Sequence, residues 1–449
     1  MLGRIVVALI ATGLAIASSA AAFQAPIIGL PERHARHVEV VGDAQSGYAL
    51  HVNGHPYTVY GVGIGQPSDE RFAALVKAGG NTVRTWSQYE ADKVFELAEK
   101  HGVMVALGLD FGQELHGFDY DNEEAVAQQF ARTREAVLRY KDHPNLLMYI
   151  VGNELNLLFD DEGEVAPVNA KAYIALNDVA EFIHQVDPHH PVSTAFAGYL
   201  THHVDRALPY LPNLDILSVQ LYGDLVRMPE FLAGDRSGIP IMITEYGPIG
   251  HWEMPKTAWG REIEEPSALK ARGMAERIDR FIANDQSGRI IGNFAFYWGH
   301  KQERTSTWYS MFTPEGRPDA RADELSRYWT GSYPANRAPM IEWITLAGKG
   351  PLESVKLAPG AEYTAEIDLW DPESDPLSTE WILRREVSER SEGGGLEAAP
   401  PEVPLTVVGT TARTVTFRAP IESGEYRLFA TSSDPGQKIA TANIPLMVE

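Results

Sequence analysis

Short apolar runs alternate with longer stretches of helical periodicity between about residues 57 and 298. Each run is nearly continuous in apolar residues and ends in glycine or a polar residue. Runs of this kind are typical of parallel strands that are buried on both faces. The eight predicted strands are Thr58–Gly65, Asn81–Trp86, Val103–Asp110, Leu146–Glu154, Pro191–Gly198, Leu214–Gly223, Pro240–Gly247 and Ile291–Gly299.

The segments between these runs place apolar residues on one helical face, with a spacing near 3.6 residues. Clear cases are Glu90–His101, Glu123–Tyr140, Asn169–Val186 and Ser267–Asn284. Eight strand–helix units in about 240 residues match the size of a (β/α)8 TIM barrel. An open doubly wound sheet is the alternative, but Gly61–Gly65 reads G-x-G-x-G and not the G-x-G-x-x-G of a dinucleotide site. The pattern therefore predicts an α/β fold with a closed barrel at residues 58–333.

The pattern changes after Tyr328, where prolines at 334 and 339 indicate a linker. Alternating apolar and polar positions follow, separated by turns such as Pro359-Gly360 and Ser423-Gly424. This pattern predicts a small all-β immunoglobulin-like sandwich at residues 338–449. Its predicted strands are Met340–Leu346, Tyr363–Trp370, Leu377–Arg385, Ala412–Arg418, Glu425–Ser432 and Ile439–Met447.

The N-terminus has the features of a secretory signal peptide at residues 1–22. Arg4 precedes an apolar run at Ile5–Ala17, and Ala20–Ala22 supplies a small-residue cleavage site. The run is too short for a comfortable membrane anchor, so we expect export to the periplasm or outside the cell, and no stable membrane span after cleavage. Residues 23–57 form an N-terminal extension, in which Asn53-Gly54 predicts a hairpin.

Composition narrows the range of partners and chemistries. The 449 residues carry a net charge of −23, which disfavours nucleic acid and fits a neutral glycan. The chain has no cysteine, which excludes thiol catalysis and thiolate metal sites. No cofactor and no metal site is predicted, because adjacent histidines such as His189-His190 diverge and Asp371–Asp375 reads as an Asp/Pro turn.

Two carboxylates stand at the ends of predicted strands that lie across the barrel mouth from one another. Glu154 ends the fourth strand, and Glu245 ends the seventh. Active sites of TIM barrels lie at this end of the strands. A pair of carboxyl groups about 5–5.5 Å apart serves a retaining glycosidase, whereas about 6.5–9.5 Å serves an inverting one. The sequence predicts the pair and leaves the separation open.

Four short motifs resemble those of a known enzyme group, and they fall in the same order on the strands. They are Asn81–Trp86 on the second strand, Asn153-Glu154 on the fourth, Glu245–Gly247 on the seventh and Phe296–Gly299 on the eighth. In this order they resemble clan A glycoside hydrolases, with the family 2 barrel and the β-1,3-glucanosyltransferases as the most similar families. The resemblance covers most of the barrel, and it implies that the hairpin at Asn53-Gly54, within residues 23–57, plugs the bottom of the barrel.

The resemblance implies a role for each matching residue. Glu154 would be the acid/base, and Glu245 would be the nucleophile of a retaining enzyme. Asn153 would hydrogen-bond the 2-hydroxyl of the sugar. The other predicted substrate-site residues are Arg84 and Tyr222 as partners of Glu245, Trp298 as an apolar floor, and Trp86 and Trp308 as stacking platforms.

Three functions remain open from the sequence. The favoured one is a retaining hydrolase of β-glycosidic bonds in a polysaccharide or oligosaccharide, with β-glucan as the preferred substrate. The second is a β-glucan transglycosylase that uses the same two carboxylates. The third is a non-catalytic glycan-binding envelope protein, which the presence of both carboxylates disfavours. The oligomeric state is not predicted.

Overall fold

The computed structural model describes residues 37–199, 201–391 and 394–449. The predicted signal peptide at residues 1–22 lies outside these ranges, as does the first part of the N-terminal extension. Within the described ranges, no helix combines the length and the apolar character that crossing a bilayer requires.

An antiparallel sheet of three short strands precedes the barrel: β1 (Val38–Asp43), β2 (Gly47–Val52) and β3 (His55–Pro56). Asn53 and Gly54 turn the chain between β2 and β3 with left-handed φ values of 52° and 78°. Leu50 and Val52 pack in one apolar cluster with residues at the N-terminal ends of the barrel strands, among them Met104, Leu147, Ile216 and Ile291. The sheet therefore covers the bottom of the barrel, opposite the end at which TIM barrels carry their active sites.

Eight parallel strands close into a barrel, which confirms the predicted (β/α)8 fold. The ring runs in chain order, and its last strand pairs with its first. Nearly every strand residue is buried, as expected for strands covered on both faces. The strands are β4 (Val59–Gly63), β5 (Thr82–Arg84), β6 (Met104–Leu109), β7 (Leu146–Asn153), β8 (Val192–Ala197), β9 (Ile216–Gln220), β10 (Ile241–Tyr246) and β11 (Ile290–Ala295).

Helices surround the barrel and bury one apolar face each against it. Ser68 caps the first helix through its side chain, and Gly79 ends it with a left-handed φ of 95°. A π-helical turn at Asp279–Ala283 extends the seventh helix. The helices are α1 (Asp69–Ala78), α2 (Ala91–His101), α3 (Glu123–Tyr140), α4 (Ala170–Val186), α5 (Thr201–Ala207), α6 (Met228–Gly234), α7 (Ser267–Ile278) and α8 (Ala320–Thr330).

Two packed sheets follow the barrel, as predicted for a β-sandwich. One sheet has the strand order β12-β14-β18-β17, and the other has the order β13-β20-β19-β15-β16. Apolar residues of both sheets share a single core. The strands are β12 (Met340–Leu346), β13 (Lys356–Leu357), β14 (Glu362–Trp370), β15 (Ser378–Arg385), β16 (Glu402–Val403), β17 (Thr406–Thr410), β18 (Thr414–Arg418), β19 (Gly424–Ser433) and β20 (Ile439–Val448).

The barrel and the sandwich meet along β20. The backbone N–H of Thr441 donates to Ser267 Oγ at the start of α7, over 2.9 Å. The N–H of Ile439 donates to the carbonyl of Pro318, also over 2.9 Å. Because both bonds use backbone groups of β20, the sandwich is docked through its main chain on the barrel.

The plug sheet should contribute measurably to stability. Leu50 is 1% exposed within the plug cluster, so Leu50→Ala is expected to lower the free energy of unfolding by about 2–4 kcal/mol, through lost burial and a residual cavity. Urea denaturation measures the change. Val41→Ala, on the same sheet but 38% exposed, is the control and should change stability by less than about 0.5 kcal/mol. Equal small effects would show that the plug is not part of the cooperative barrel.

Candidate active site

A β-bulge presents Asn153 and Glu154 at the mouth of the barrel. The pairing of β7 with β8 shifts register between Ile150 and Asn153. Within this bulge, Gly152 has a φ of 74°, and a β-carbon there would come within 2.9 Å of the Leu155 side chain. Glu154 itself has a φ of 53°, an uncommon conformation for a residue with a side chain, and such conformations concentrate at functional sites. The local geometry thus serves the orientation of these two side chains.

A second bulge lies opposite, in β10. Its pairing with β9 shifts register between Ile243 and Glu245, and its pairing with β11 shifts between Ile243 and Tyr246. Bulges re-aim a side chain next to active sites. Glu245 is buried at this position. Both predicted catalytic residues are therefore placed by irregularities of the barrel strands and not by regular strand ends.

The carboxylate of Glu245 accepts hydrogen bonds from four side chains. Its Oε1 receives bonds from Arg84 Nη1 over 2.7 Å, Trp86 Nε1 over 2.7 Å and Gln220 Nε2 over 2.9 Å. Its Oε2 receives the hydroxyl of Tyr222 over 2.7 Å. Burial and the charge of Glu245 raise the pKa of Tyr222, so this hydroxyl stays a donor. These donors stabilise a negative charge on Glu245 and fix its orientation.

The same donors hold Asn153. Arg84 Nη2 and Gln220 Nε2 donate to Asn153 Oδ1 over 2.5 and 2.6 Å. The side chain of Gln113 donates to the Asn153 carbonyl over 2.5 Å. Asn153 Nδ2 has no hydrogen-bond partner in the described ranges, so the amide keeps a donor for a ligand. The sequence analysis did not predict Gln220 as a site residue. Gln220 is the last residue of β9, the sixth barrel strand, and it lies two residues before the predicted Tyr222.

Glu154 lies in a contrasting environment. Its half-buried carboxyl makes no hydrogen bond to any described residue. Burial, together with the negative charges of Glu245 and Glu303, raises its pKa to about 8, against the opposing effects of Arg84 and Lys301. A carboxyl group held by several donors beside a second carboxyl group without donors is the arrangement expected of a nucleophile and an acid.

A third carboxylate, Glu303, follows β11 and was missed by the sequence reasoning. It is 7% exposed, forms an ion pair with Lys301 and lies 3.6 Å from His251 Nε2. Burial alone would raise the pKa of Glu303, but the contact with His251 and the charge of Lys301 hold it below its ordinary range. Lys301 Nζ lies 5.5 Å from the ring centre of Phe296. No periodic pattern marks this loop, and only its position after the eighth strand could have indicated it.

Two predicted aromatic residues are closed off from substrate, although Trp308 packs in the aromatic cluster that contains Tyr222. Trp298 is 1% exposed, donates through Nε1 to the Arg71 carbonyl and packs on Phe312 and Trp329 in the layer between barrel and helices. Trp308 is also 1% exposed, and its Nε1 donates to the Ile249 carbonyl. Neither ring has a face open to a sugar, so the predicted floor and platform are corrected to core packing.

The exposed rings near the site are different residues. Trp252, in the loop after β10, is 58% exposed and packs edge-to-face on Tyr222, with ring centres 5.3 Å apart. Tyr89 is 70% exposed, and its hydroxyl donates to Asp110 directly after β6 over 2.8 Å. Strands β6 and β10 lie diametrically opposite in the ring. Two exposed aromatic rings thus stand on opposite edges of the barrel mouth.

An acidic group in the sandwich has the composition of a metal site. Oxygen atoms of Asp371, Asp375 and Asp434 lie within 4.8 Å of one another. The carboxylates also serve their own turns: Asp371 Oδ1 accepts the backbone N–H of Asp375 over 3.0 Å, and Asp434 Oδ1 accepts the backbone N–H of Lys438 over 2.8 Å. These bonds are those of an Asp turn, and we assign no metal to it.

The raised pKa of Glu154 has a consequence for stability. The carboxyl titrates at its ordinary value of 4.5 when unfolded and at about 8 when folded, so the folded state loses stability as pH rises through this interval. Glu154→Gln removes the titration and should stabilise the protein by about 2–4 kcal/mol near about pH 9, and hardly at all near about pH 4. Calorimetry at both pH values measures the difference. Glu164→Gln, on an exposed loop, is the control; the same effect at both pH values for Glu154→Gln would contradict the assignment.

No family model matches the chain. Curated relatives are found nevertheless. A β-glucuronidase of Paenibacillus borealis is 24% identical over 328 residues, which is 63% of this chain and 51% of the relative. A β-mannosidase A of Emericella nidulans is 29% identical over 249 residues, which is 54% of this chain and 22% of the relative. The chain thus spans about half the length of these relatives or less.

Solved structures share the fold. A β-glucuronidase of Bacteroides uniformis matches with a TM-score of 0.50 and 16% identity, covering 92% of this chain and 48% of that one. A β-glucuronidase of Ruminococcus gnavus matches with a TM-score of 0.51 and 16% identity, covering 67% and 53%. Sequence similarity and fold together confirm the predicted resemblance to clan A glycoside hydrolases, and within that clan to the catalytic barrel of family 2.

Proposed function

We propose that the protein is a retaining β-glycosidase that hydrolyses a neutral β-linked glycan. The observation that carries this proposal is the contrast between its two carboxyl groups. Glu245 accepts four hydrogen bonds, from Arg84, Trp86, Gln220 and Tyr222. Glu154 accepts none from a described residue, and its pKa is raised to about 8. One group is thus prepared as an anion, and the other as a proton donor.

We propose a double displacement, which the four hydrogen bonds that orient Glu245 support. Protonated Glu154 gives its proton to the leaving oxygen while Glu245 attacks the anomeric carbon, so the glycosidic bond breaks and a glycosyl ester forms on Glu245. Glu154, now ionised, then takes a proton from water, whose oxygen attacks the same carbon and releases Glu245. Asn153 Nδ2 would donate to the sugar's 2-hydroxyl, a contact that strengthens in the transition state.

The charges at the site favour a neutral sugar. A uronic acid carries a carboxylate, which needs a cation free to bind it. The described cations beside the two glutamates already have partners, since Arg84 pairs with Glu245 and Lys301 pairs with Glu303. Glu154 is neutral below its pKa of about 8, so these groups leave no net positive charge to attract a uronate. A β-glucan satisfies this constraint, and we propose it as the preferred substrate, although relatives are named β-glucuronidases.

Product analysis tests the reaction. We expect the wild-type protein to shorten at least one member of a panel of β-1,2-, β-1,3-, β-1,4- and β-1,6-glucans, and to leave an aryl β-glucuronide intact. Glu245→Ala should reduce turnover on the order of 10³-fold or more, because no nucleophile remains. Azide should restore cleavage of an activated aryl glycoside by this variant, since a small anion can occupy the vacated space. Glu164→Ala is the matched acidic control.

Other outcomes of the same panel are equally informative. Turnover that survives Glu245→Ala would disprove the mechanism. Products longer than the donor would show that the reaction is transglycosylation through the same intermediate and not hydrolysis. Glycan binding without turnover on any substrate would replace both by a binding function, and cleavage of the glucuronide alone would overturn the neutral-sugar assignment.

The exposed rings give a prediction about chain length. Because Trp252 stands 5.3 Å from Tyr222 and faces solvent, we expect it to support a sugar unit outside the cleaved one. Trp252→Ala should lower kcat/KM on a susceptible tetrasaccharide by about 10-fold and change the value for an aryl monosaccharide less than about 2-fold. Val226→Ala, which removes an exposed side chain without an aromatic ring, is the control. Equal losses on both substrates would assign Trp252 to folding or to the cleaved unit itself.

A further inference from the structure

The segment Lys301–Tyr309, hereafter the β11 loop, presents charged and aromatic groups to the site. Its Glu303 and Lys301 both act on the acid/base Glu154. Its last residue, Tyr309, packs on Tyr222 and Phe296 with ring centres 5.6 and 5.3 Å apart. A displacement of this loop would therefore change the surroundings of Glu154 directly.

The β11 loop contains a conformation that needs external support. Arg304 has a left-handed φ of 57°, and the backbones of Glu303 and Thr305 exchange hydrogen bonds of 3.0 and 2.6 Å around it. A non-glycine residue in this region costs on the order of 1–2 kcal/mol and persists only where surrounding contacts hold it. Those contacts come in large part from the sandwich.

A first anchor is Glu397, in the segment between β15 and β16. Its side chain is fully buried, although its neighbour Leu396 is fully exposed. Its Oε1 accepts from Gln302 Nε2 over 3.1 Å, and its Oε2 accepts from Arg304 Nη1 over 3.3 Å. Arg304 Nη1 also donates to the Ser391 carbonyl over 2.8 Å. A single sandwich carboxylate thus holds both chain neighbours of Glu303.

A second anchor passes through the buried carboxylate of Glu264. Thr305 and Thr307 of the β11 loop donate to it over 2.5 and 2.8 Å, and Asn443 Nδ2 of β20 donates over 2.5 Å. Arg427 of β19 donates in turn to Asn443 Oδ1 over 2.8 Å. An unbroken series of buried hydrogen bonds therefore joins the core of the sandwich to the β11 loop. Such a network is costly to interrupt, because each remaining polar group loses its partner.

We propose that the sandwich is part of the catalytic unit, with Glu397 and Asn443 as positioning residues that fix the β11 loop against Glu154. The inference rests on the proposed role of Glu154. If the sandwich were an independent glycan-binding module, breaking its contacts with the β11 loop would leave the chemistry at the barrel unchanged. If it were a simple brace, breaking them would affect stability alone.

Glu397→Ala tests the proposal in the full-length protein. Hydrogen–deuterium exchange should become at least about 10-fold faster in peptides covering residues 301–309. On the aryl glycoside cleaved by the wild type, kcat should fall by about 10-fold or more with a smaller change in KM. The alkaline limb of the pH profile of kcat should move to lower pH. Glu245 and Glu303 raise the pKa of Glu154, whereas Arg84 and Lys301 lower it. Because the effect of Glu303 exceeds that of Lys301, a loop that moves both away from Glu154 should lower the pKa of Glu154. Glu303→Gln should move the limb in the same direction.

The chain offers a matched control. Glu425 of β19 forms an ion pair with Arg261 across the same barrel–sandwich interface without touching the β11 loop. Glu425→Ala should lower the Tm as Glu397→Ala does, but it should leave exchange in residues 301–309 and the pH profile unchanged. Glu397→Gln, which keeps the shape and one acceptor, should recover most of kcat. If Glu397→Ala does not fold, Asn443→Ala interrupts the second anchor and should give the same signature.

Two results would overturn the proposal: exchange in the β11 loop that is equal in Glu397→Ala and Glu425→Ala, or a loosened loop with an unchanged kcat and pH profile. The exchange measurement needs no turnover. A wild-type protein that cleaves no glycoside would therefore refute the proposed function, while the anchoring of the loop would still be decided by exchange.

Discussion

The ion pair between Arg84 and Glu245 is the interaction on which the rest of the site depends. Arg84 is fully buried inside the barrel, and Glu245 is nearly so. Withdrawing two charges from water costs several kcal/mol for each ion, and the cost is offset only when the remaining donors and acceptors are satisfied. Arg84 accordingly also binds the Thr244 carbonyl and the Asn153 side chain. The bulges in β7 and β10 are what bring these acceptors within reach of one guanidinium.

The distribution of charge around this pair separates the two glutamates. The side chains of Arg84, Trp86, Gln220 and Tyr222 donate to Glu245, Arg84 and Gln220 also donate to Asn153, and Lys301 is paired with Glu303. Glu154 therefore remains the one carboxyl of the three without a described partner. In a half-buried position, a carboxyl without donors is more stable as the neutral acid. The raised pKa of Glu154, which the proposed mechanism uses, therefore depends on the lack of hydrogen-bond donors around its carboxyl group.

The sequence was sufficient for the fold and for much of this centre. Continuous apolar strands indicated a barrel, the strand ends located Glu154 and Glu245, and the resemblance to clan A hydrolases added Arg84 and Tyr222. The same reasoning misplaced Trp298, because a residue just beyond a strand can turn outward into the helical layer as readily as inward. The apolar character of a residue does not distinguish these two directions, because the barrel interior and the layer between barrel and helices both exclude water.

Other groups carry no periodic signal at all. Glu303 and Trp252 lie in loops whose conformation is set by partners far away in the chain. Glu397 lies in a glycine-rich segment that local reasoning interprets as a flexible loop, yet the structure buries its side chain against Arg304. Long-range contacts of this kind follow from packing between domains, which no local pattern records.

The position of Asn443 has a consequence for how the protein is made. It lies 136 residues beyond Thr307, one of its partners in the β11 loop. Synthesis proceeds from the N-terminus, and domains generally fold in that order. All eight barrel strands and both glutamates that we propose to be catalytic exist before β20 leaves the ribosome. During biosynthesis the barrel therefore precedes its own outer support, and the site reaches its final geometry only in the last stage of chain assembly.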